Sequence, residues 1–309
     1  MRVEEKPVID VYDLKKSFGG KPAVKGISLK VGRGEIFGFL GPNGSGKTTT
    51  IRMLCGLMKP DGGHGSCLGF DVLTEMSKIK ENAGYMTQNF SLYEDMTVGE
   101  NLDFMARLYG IPNRKDVVAE NLSQLGMTGN KDQLAGTLSG GWKQRLALGA
   151  CMIHNPQLLL LDEPTAGVDP KARFDFWNKI HKLSAEGVTI LVSTHYMDEA
   201  EQCHKLGYIV AGELLTEGSP EEVIKKSGLV TWRVAGPDIW LLSEKISGLP
   251  AVAQVTVCGT ELHVSGYDEE ALHRDLKPFM DGKWAFEVSK PGVDDVFVSL
   301  MKQRGDEGL

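Results

Sequence analysis

The spacing of apolar and polar positions changes character several times along this chain, and each change marks a boundary. Val8-Ile9-Asp10-Val11-Tyr12 and Gly26-Ile27-Ser28-Leu29-Lys30-Val31 alternate with the period of two that suits half-buried strands, with glycine-rich turns between them. Glu35-Ile36-Phe37-Gly38-Phe39-Leu40 is short, apolar and aromatic-containing instead, the pattern of a strand buried on both faces. Thr50 to Met58 reads as a helix stopped by Lys59-Pro60, and Asp61-Gly62-Gly63-His64-Gly65 as a turn-rich patch. Ala83-Gly84-Tyr85-Met86-Thr87 predicts a strand ending at Gln88, with Asn89 to Met96 an irregular loop after it.

At Thr97 the period lengthens to that of helices. Thr97-Val98-Gly99-Glu100 is a capping box, followed at helical spacing by Leu102, Met105, Ala106 and Tyr109. A second helix is expected over about Lys115–Leu125, and a third opens at Ser139-Gly140-Gly141 and runs to about His154. Strand patterning then returns. Leu158-Leu159-Leu160-Leu161 closes on Asp162-Glu163, and Val188-Thr189-Ile190-Leu191-Val192-Ser193 ends at Thr194-His195. Between them lie the Asp169-Pro170 turn and a helix over Lys171–Glu186. Ser219-Pro220 and Ser227-Gly228 punctuate a boundary. Beyond it the predicted order is β-α-β-β-α-β, with a last helix over Val293–Gln303: a small α+β ferredoxin-like domain over residues 220–309.

Composition adds exclusions. The chain has 309 residues, which suits about two domains. Its net charge is −7. Residues 220–309 hold ten Lys/Arg against fifteen Asp/Glu, a net of −5, which leaves −2 for residues 1–219. Neither part offers a basic face for nucleic acid or a polybasic membrane anchor, so no nucleic-acid partner is expected. The five cysteines are scattered, odd in number and without metal-ligand spacing, as reduced thiols of a cytosolic protein would be. No apolar run approaches the length that spans a bilayer, nor does one follow the charged N-terminus as a secretion signal requires. A soluble chain is expected, whose membrane role, if any, comes through a partner.

The chemistry is concentrated in Gly41-Pro42-Asn43-Gly44-Ser45-Gly46-Lys47-Thr48-Thr49, which satisfies G-x-x-x-x-G-K-[ST] at every specified position, between a strand and a helix. Glycines let backbone N–H groups turn inward around a polyphosphate, and the helix that follows points its positive end at the same anion. Lys47 is placed for the β- and γ-phosphates of a nucleotide, and the Thr48 hydroxyl for Mg²⁺. Asp162, at the carboxyl end of an apolar strand, would meet the same Mg²⁺, and Glu163 would orient or deprotonate an attacking water. His195, at the end of another central strand, reads either as a group near the γ-phosphate or as an incidental strand-end histidine. Ser139-Gly140-Gly141 reads either as a second anion-binding nest or as an ordinary N-cap. The Gln88 amide can reach Mg²⁺ or the water. Phe18, on the Lys16-Ser17-Phe18-Gly19-Gly20 turn, reads either as a base-stacking aromatic or as a small core contact.

Taken together, residues 8–219 resemble the ATP-binding subunits of ABC transporters nearly continuously. Gly41–Thr49 looks like the Walker A loop, Leu158–Glu163 like Walker B, and Gln88 like the Q-loop glutamine. Ser139-Gly140-Gly141 looks like the signature motif, Asp169 like the D-loop aspartate and His195 like the H-switch, while Phe18 falls where the family stacks adenine. The resemblance implies an α/β P-loop NTPase fold over residues 1–219. It comprises a mostly parallel sheet, an antiparallel β subdomain and a helical subdomain at about 97–154. It further implies ATP and Mg²⁺ as cofactors and hydrolysis at Glu163 assisted by His195 and Gln88. A head-to-tail dimer, most simply a homodimer, is implied as well, in which Ser139 and Gly141 of one chain close over ATP held by the other. Ala166-Gly167-Val168-Asp169, Ser193–Ala200 and Val293-Asp294-Asp295-Val296-Phe297 resemble the type-2 exporter subunits for drugs, sodium and polysaccharides. This implies a separate transmembrane permease and a peripheral location at the cytoplasmic face of the membrane. Trp142 stands where the family commonly has methionine or glutamine.

Two function classes follow. One is a transport motor; the other is a related soluble ATPase with no permease, acting on ribosomes or DNA. A single cassette, no heptad run and an acidic tail favour the motor. A small-molecule kinase is disfavoured, since it leaves the signature nest unexplained. Phe90, Leu92, Tyr93 and Met96 in the loop after Gln88 read as a socket for a partner helix or as pins on the core of the insert.

Overall fold

The structure is a computed structural model that describes residues 6–303. The chain forms two compact units, Met1–Leu215 and Thr216–Leu309.

In the first unit, β1 (Ile9–Phe18) and β2 (Lys21–Val31) form an antiparallel hairpin, longer than the alternation predicts. β3 (Ile36–Leu40) leads through the phosphate loop into α1 (Lys47–Leu54). This helix starts earlier than expected, directly after its N-cap Gly46, and stops earlier because Cys55 caps it and Gly56 turns the chain at φ +71°. The patch expected as a turn at Asp61–Gly65 is a correction: it enters β4 (Gly62–Cys67), paired with β1. Its glycines provide close approach. A Cβ on Gly63 would lie 2.5 Å from the Asp13 carbonyl oxygen, and one on Gly65 would overlap that of Asp10. β5 (Phe70–Asp71) completes an antiparallel sheet of order β2-β1-β4-β5.

A helix the pattern did not predict, α2 (Met76–Asn82), precedes β6 (Ala83–Met86). The helical insert follows as α3 (Val98–Leu108), α4 (Arg114–Gln124) and α5 (Gly140–Met152). The capping box at the start of α3 is formed: Glu100 N–H donates to Thr97 Oγ1 at 3.1 Å, and Thr97 N–H to Glu100 Oε2 at 2.8 Å. Val98 and Leu102 of α3, Val118 and Leu122 of α4 and Leu146 of α5 give this insert its own core.

Then come β7 (Leu158–Asp162), α6 (Pro170–Ala185), β8 (Thr189–Thr194), the short α7 (Met197–Ala200), β9 (Lys205–Val210) and β10 (Glu213–Gly218). The sheet order is β10-β9-β3-β8-β7-β6, and the five strands from β9 to β6 run parallel. Every residue of β3, β7 and β8 is buried, which is why apolar residues dominate their sequences. Phe37, Phe39, Leu158, Leu160 and Leu191 share a core with Ile51 and Met53 of α1 and with Val11 and Ile27 of the antiparallel sheet. Each such side chain contributes roughly 1.5–3 kcal/mol by leaving water. The site follows from this order. β3, β8 and β7 are neighbours, so the phosphate loop, Thr194-His195 and Asp162-Glu163 all emerge at one carboxyl edge.

The second unit has its own core. Ser219-Pro220, expected only as punctuation, opens α8 (Pro220–Ser227) with a formed capping box. β11 (Val230–Ala235), α9 (Ile239–Ile246), β12 (Gln254–Cys258), β13 (Glu261–Gly266), α10 (Glu269–Leu276) and β14 (Ala285–Ser289) follow in the expected β-α-β-β-α-β order. α11 (Val293–Gln303) ends the described chain. The sheet order is β12-β13-β11-β14, with all three neighbouring pairs antiparallel. Trp232, Val234, Leu262 and Val264 on one face meet Leu242, Ile246, Leu272 and Leu276 from α9 and α10.

Candidate functional site

The phosphate loop is held open by backbone conformations that favour glycine. Gly41, Gly44 and Gly46 have φ of +153°, +78° and +104°. A Cβ on Gly46 would lie 2.6 Å from the Ala23 carbonyl oxygen and one on Gly41 would overlap that of Ile209, whereas Gly44 has no atom within 4 Å of that position. Gly46 is also the N-cap of α1, and no side chain caps the helix. The first-turn N–H groups therefore face an anion site with no competing acceptor. Ser45 Oγ, in a residue only 3% exposed, has no hydrogen-bond partner. A buried, unpartnered hydroxyl in a loop of inward amides fits a polyphosphate.

Lys47 lies almost wholly out of solvent, and its ammonium donates to the carbonyl oxygens of Gly41 at 2.7 Å and Pro42 at 3.1 Å. Burial lowers its pKa below the ordinary lysine value, opposed by the neighbouring Glu163 and Asp162 carboxylates. Thr48 Oγ1 donates to Asp162 Oδ1 at 3.1 Å, and Ser193 Oγ donates to the same oxygen at 2.7 Å. Ser193 Oγ also accepts the Glu163 N–H at 3.0 Å. One hydroxyl thus fixes both acids, a role the sequence reading missed because Ser193 looks like the plain end of an apolar strand. Asp162 and Thr48 form a pair of hard oxygen donors, the chemistry Mg²⁺ selects.

Glu163 is the centre of the arrangement. Three groups converge on its carboxylate: Lys47 Nζ at 3.4 Å from Oε1, Gln88 Nε2 at 3.0 Å and His195 Nδ1 at 3.3 Å, both from Oε2. Its backbone sits at φ +47°, a left-handed conformation that a non-glycine residue adopts only when its surroundings impose it. That turn swings the side chain off the line of β7 toward Gln88 at the end of β6 and His195 at the end of β8.

The remaining predicted residues lie elsewhere. Ser139 is an exposed N-cap of α5 whose hydroxyl makes no capping bond, and Gly140 beside it is also exposed. Asp169 caps α6, accepting the Ala172 N–H at 3.0 Å, and lies next to Gly141. Phe18 ends β1 with 49% of its surface exposed, so the core alternative does not hold. Asn43 is exposed and Thr49 half-buried in the loop and first turn. Trp142 packs on the core of the insert, with the Arg145 guanidinium 4.9 Å from its ring centre. In the loop after Gln88, Phe90 and Leu92 pack on that same core, while Tyr93 is half exposed and meets Phe104 edge-on at 5.2 Å.

Comparison with known proteins agrees with this geometry. The ABC transporter family model matches residues 24–166. The chain is 38% identical over 301 residues to the Nod factor export ATP-binding protein I of Rhizobium sp. (strain N33), covering 96% of this chain and 97% of that one. It is 41% identical over 222 residues to the probable multidrug ABC transporter ATP-binding protein YbhF of Escherichia coli (strain K12). That match covers 71% of this chain but only 38% of YbhF, so the chain spans about two fifths of that relative's length. Among solved structures, cbiO1 from Clostridium perfringens, part of the ABC transporter complex cbiONQ, superposes with a TM-score of 0.66 at 27% identity over 79% of this chain and 95% of that one. The ATP-binding cassette MJ0796, solved as a dimer in a post-hydrolysis state with ADP and Pi, gives 0.63 at 26% identity, covering 68% and 98%. With a phosphate loop, a buried acid pair and a histidine at one sheet edge, and relatives matched over nearly their full length, the chain belongs to the ABC transporter family of ATP-binding proteins.

Proposed function

We propose that this chain is the ATP-hydrolysing motor of an exporter, working with a separate membrane permease at the cytoplasmic face of the membrane. The observation that carries the reading is the convergence of Lys47, Gln88 and His195 on Glu163. A nucleotide's phosphates would draw Lys47 into the loop, leaving the carboxylate free to orient a water and take its proton. His195 and Gln88, on the opposite oxygen, would keep that carboxylate aimed. Thr48 and Asp162, with Gln88, would hold Mg²⁺, which when bound neutralises charge on the phosphates. Phe18, exposed at the end of β1, suits the face of an adenine.

Ser139 and Gly141 lie outside this cluster with exposed or half-exposed surfaces and an uncommitted hydroxyl. In a head-to-tail pair they would close over the nucleotide of the partner. The dimer of the related cassette MJ0796 is in keeping with that arrangement. Relatives named for Nod factor export and linearmycin resistance favour export over an ATPase acting on ribosomes or DNA.

The test compares Glu163→Gln with Lys47→Ala. Glu163→Gln should bind ATP, turn over on the order of 10²–10⁴-fold more slowly, and accumulate as an ATP-bound dimer in sedimentation. Lys47→Ala should lose affinity or turnover without trapping a dimer. Hydrolysis by Glu163→Gln at the parent rate would remove the role assigned to it.

A further inference from the structure

Glu199 is a buried acid that the reaction as described leaves unused. It is 1% exposed and lies on α7 with its two oxygens divided between two threonines. Thr165 Oγ1 donates to Oε1 in a short bond, and Thr194 Oγ1 donates to Oε2 at 2.6 Å. Both threonines are themselves buried. Thr165 lies two residues after Glu163, in the turn where Ala166 N–H donates to the Glu163 carbonyl at 3.2 Å. Thr194 immediately precedes His195, and its hydroxyl also accepts the Tyr196 N–H at 3.0 Å, which folds the backbone around the histidine.

A third element joins from α6, the helix that Asp169 caps. Arg173 Nε lies 3.5 Å from Glu199 Oε1, and its guanidinium lies over the Tyr196 ring at 4.2 Å from the centre. Its outer nitrogen reaches Asp198 Oδ2 at 3.3 Å. Glu199 therefore binds together the segment leaving Glu163, the segment entering His195 and the helix that follows Asp169.

We infer that Glu199 is a positioning residue for hydrolysis: it ties Thr165 to Thr194 and thereby sets the approach of His195 to the Glu163 carboxylate. The inference rests on the reading of Glu163 as the group that activates water. Burying a carboxylate is a poor route to stability alone, because apolar side chains of similar volume serve as well or better. What a carboxylate adds is two directional acceptors at a fixed separation, and here they are spent on the flanks of the two groups whose distance matters. Glu163 holds an imposed left-handed backbone, so it needs a constraint on its C-terminal side, and Thr165 is where that constraint is applied.

The experiment measures steady-state ATPase, ATP affinity and melting temperature for Glu199→Gln, Thr165→Val and, as a control, Asp198→Asn in the full chain. Glu199→Gln keeps the shape but exchanges one acceptor oxygen for an NH₂ donor, so one threonine hydroxyl must turn from donating to accepting and the charge-assisted hold on both is lost. Its kcat should fall about 10²-fold, the scale of a misplacement near 1 Å, with ATP affinity within about twofold of the parent and melting within a few degrees. Thr165→Val, which cuts only the link to the Glu163 segment, should fall in the same direction and decides the matter alone if Glu199→Gln does not fold. Asp198→Asn, on the exposed side of Arg173, should stay within about twofold. In a Glu163→Gln background, Glu199→Gln should cost nothing further, because groups acting as a unit are not additive. Parent-rate turnover by Glu199→Gln, or loss of affinity, melting temperature and turnover together, overturns the positioning role. Failure of the reading beneath it looks different: the parent protein would not hydrolyse ATP, or Glu163→Gln would do so normally.

Discussion

Alanine at Gly44 and at Gly46 should separate what the phosphate loop does for binding from what it does for folding. Both glycines have left-handed φ, +78° and +104°. At Gly46 the new Cβ would lie 2.6 Å from the Ala23 carbonyl oxygen, where about 3.3 Å is an ordinary carbon–oxygen approach. The loop and β2 must part by roughly 0.7 Å in a packed region, and overpacking with backbone strain should cost about 3–5 kcal/mol. At Gly44 nothing lies within 4 Å, so only the left-handed conformation is charged, about 1–2 kcal/mol. With a melting shift of about 2–4 °C per kcal/mol for a domain of this size, Gly46→Ala should lose roughly 6–20 °C and Gly44→Ala roughly 2–8 °C. Binding should rank the other way against folding. If the open space at Gly44 is where polyphosphate sits, its Cβ removes a charge-assisted N–H contact of about 1.5–3 kcal/mol, some 10- to 150-fold in affinity. At an ATP concentration about 100 times the parent dissociation constant, ligand stabilisation should shrink from about 2.7 to about 0.3–1.4 kcal/mol. Thermal melts with and without Mg²⁺-ATP read both quantities. Equal losses of melting temperature for the two variants, or a parent-sized ATP shift in Gly44→Ala, would refute the reasoning.

Three further outcomes are expected. A fragment ending at Ser219 keeps all of β10 and every nucleotide motif, so by isothermal calorimetry it should bind ATP, with dimerisation weaker than in the full chain. In the loop after Gln88, Leu92→Asn should lower the melting temperature through about 2–3 kcal/mol of lost packing, whereas Tyr93→Asn should leave melting and basal ATPase close to the parent and reduce co-purification with the proposed permease. In the second unit, burial lifts the Asp295 pKa above its ordinary 3.8, against the Gly292 N–H and His263 that favour its charge. A raised folded pKa means that the stabilisation is full below about 3.8 and is lost as pH rises through the folded value, so the melting advantage of Asp295→Asn over the parent should grow from pH 4 to pH 7.

Much of this was legible from local pattern, and the exceptions have physical causes. β7 and β8 could be read directly, since strands covered on both faces carry an apolar run between their polar ends, and the Thr97 capping box fixes the start of α3. The Gly62–Gly65 segment was misread because glycine marks a turn and a close backbone approach alike, and only the presence of β1 beside it decides between them. β9 and β10 went unread although β9 pairs directly with the phosphate strand, and α8 was taken for a break because Ser-Pro is both a boundary and the start of a capped helix. At the site, Lys47, Thr48, Asp162 and Glu163 were legible because each sits in a short motif. Ser193, Thr165 and Glu199 were not, because their importance lies in partners 30 or more residues away in sequence.

Where the site breaks local rules also says what it is for. Lys47 is an ammonium held out of water, Ser45 is a buried hydroxyl without a partner, and Glu163 is an acid in a glycine's conformation. Each is unfavourable for folding alone, and all three gather at the carboxyl edge of β3 and β7. An anion in the loop would improve the first two at once, giving Lys47 a counter-charge beyond that of Glu163 and Ser45 an acceptor. The third is different, since no ligand relaxes the backbone of Glu163. Its strain has to be held by protein, and the Ser193 hydroxyl on one side and the Thr165–Glu199–Thr194 link on the other are the contacts placed to hold it. On the proposed roles, nucleotide binding and water activation draw on separate supports in this fold, which is why substitutions at Gly44 and at Glu199 are expected to fail in opposite ways, one losing affinity and the other losing turnover.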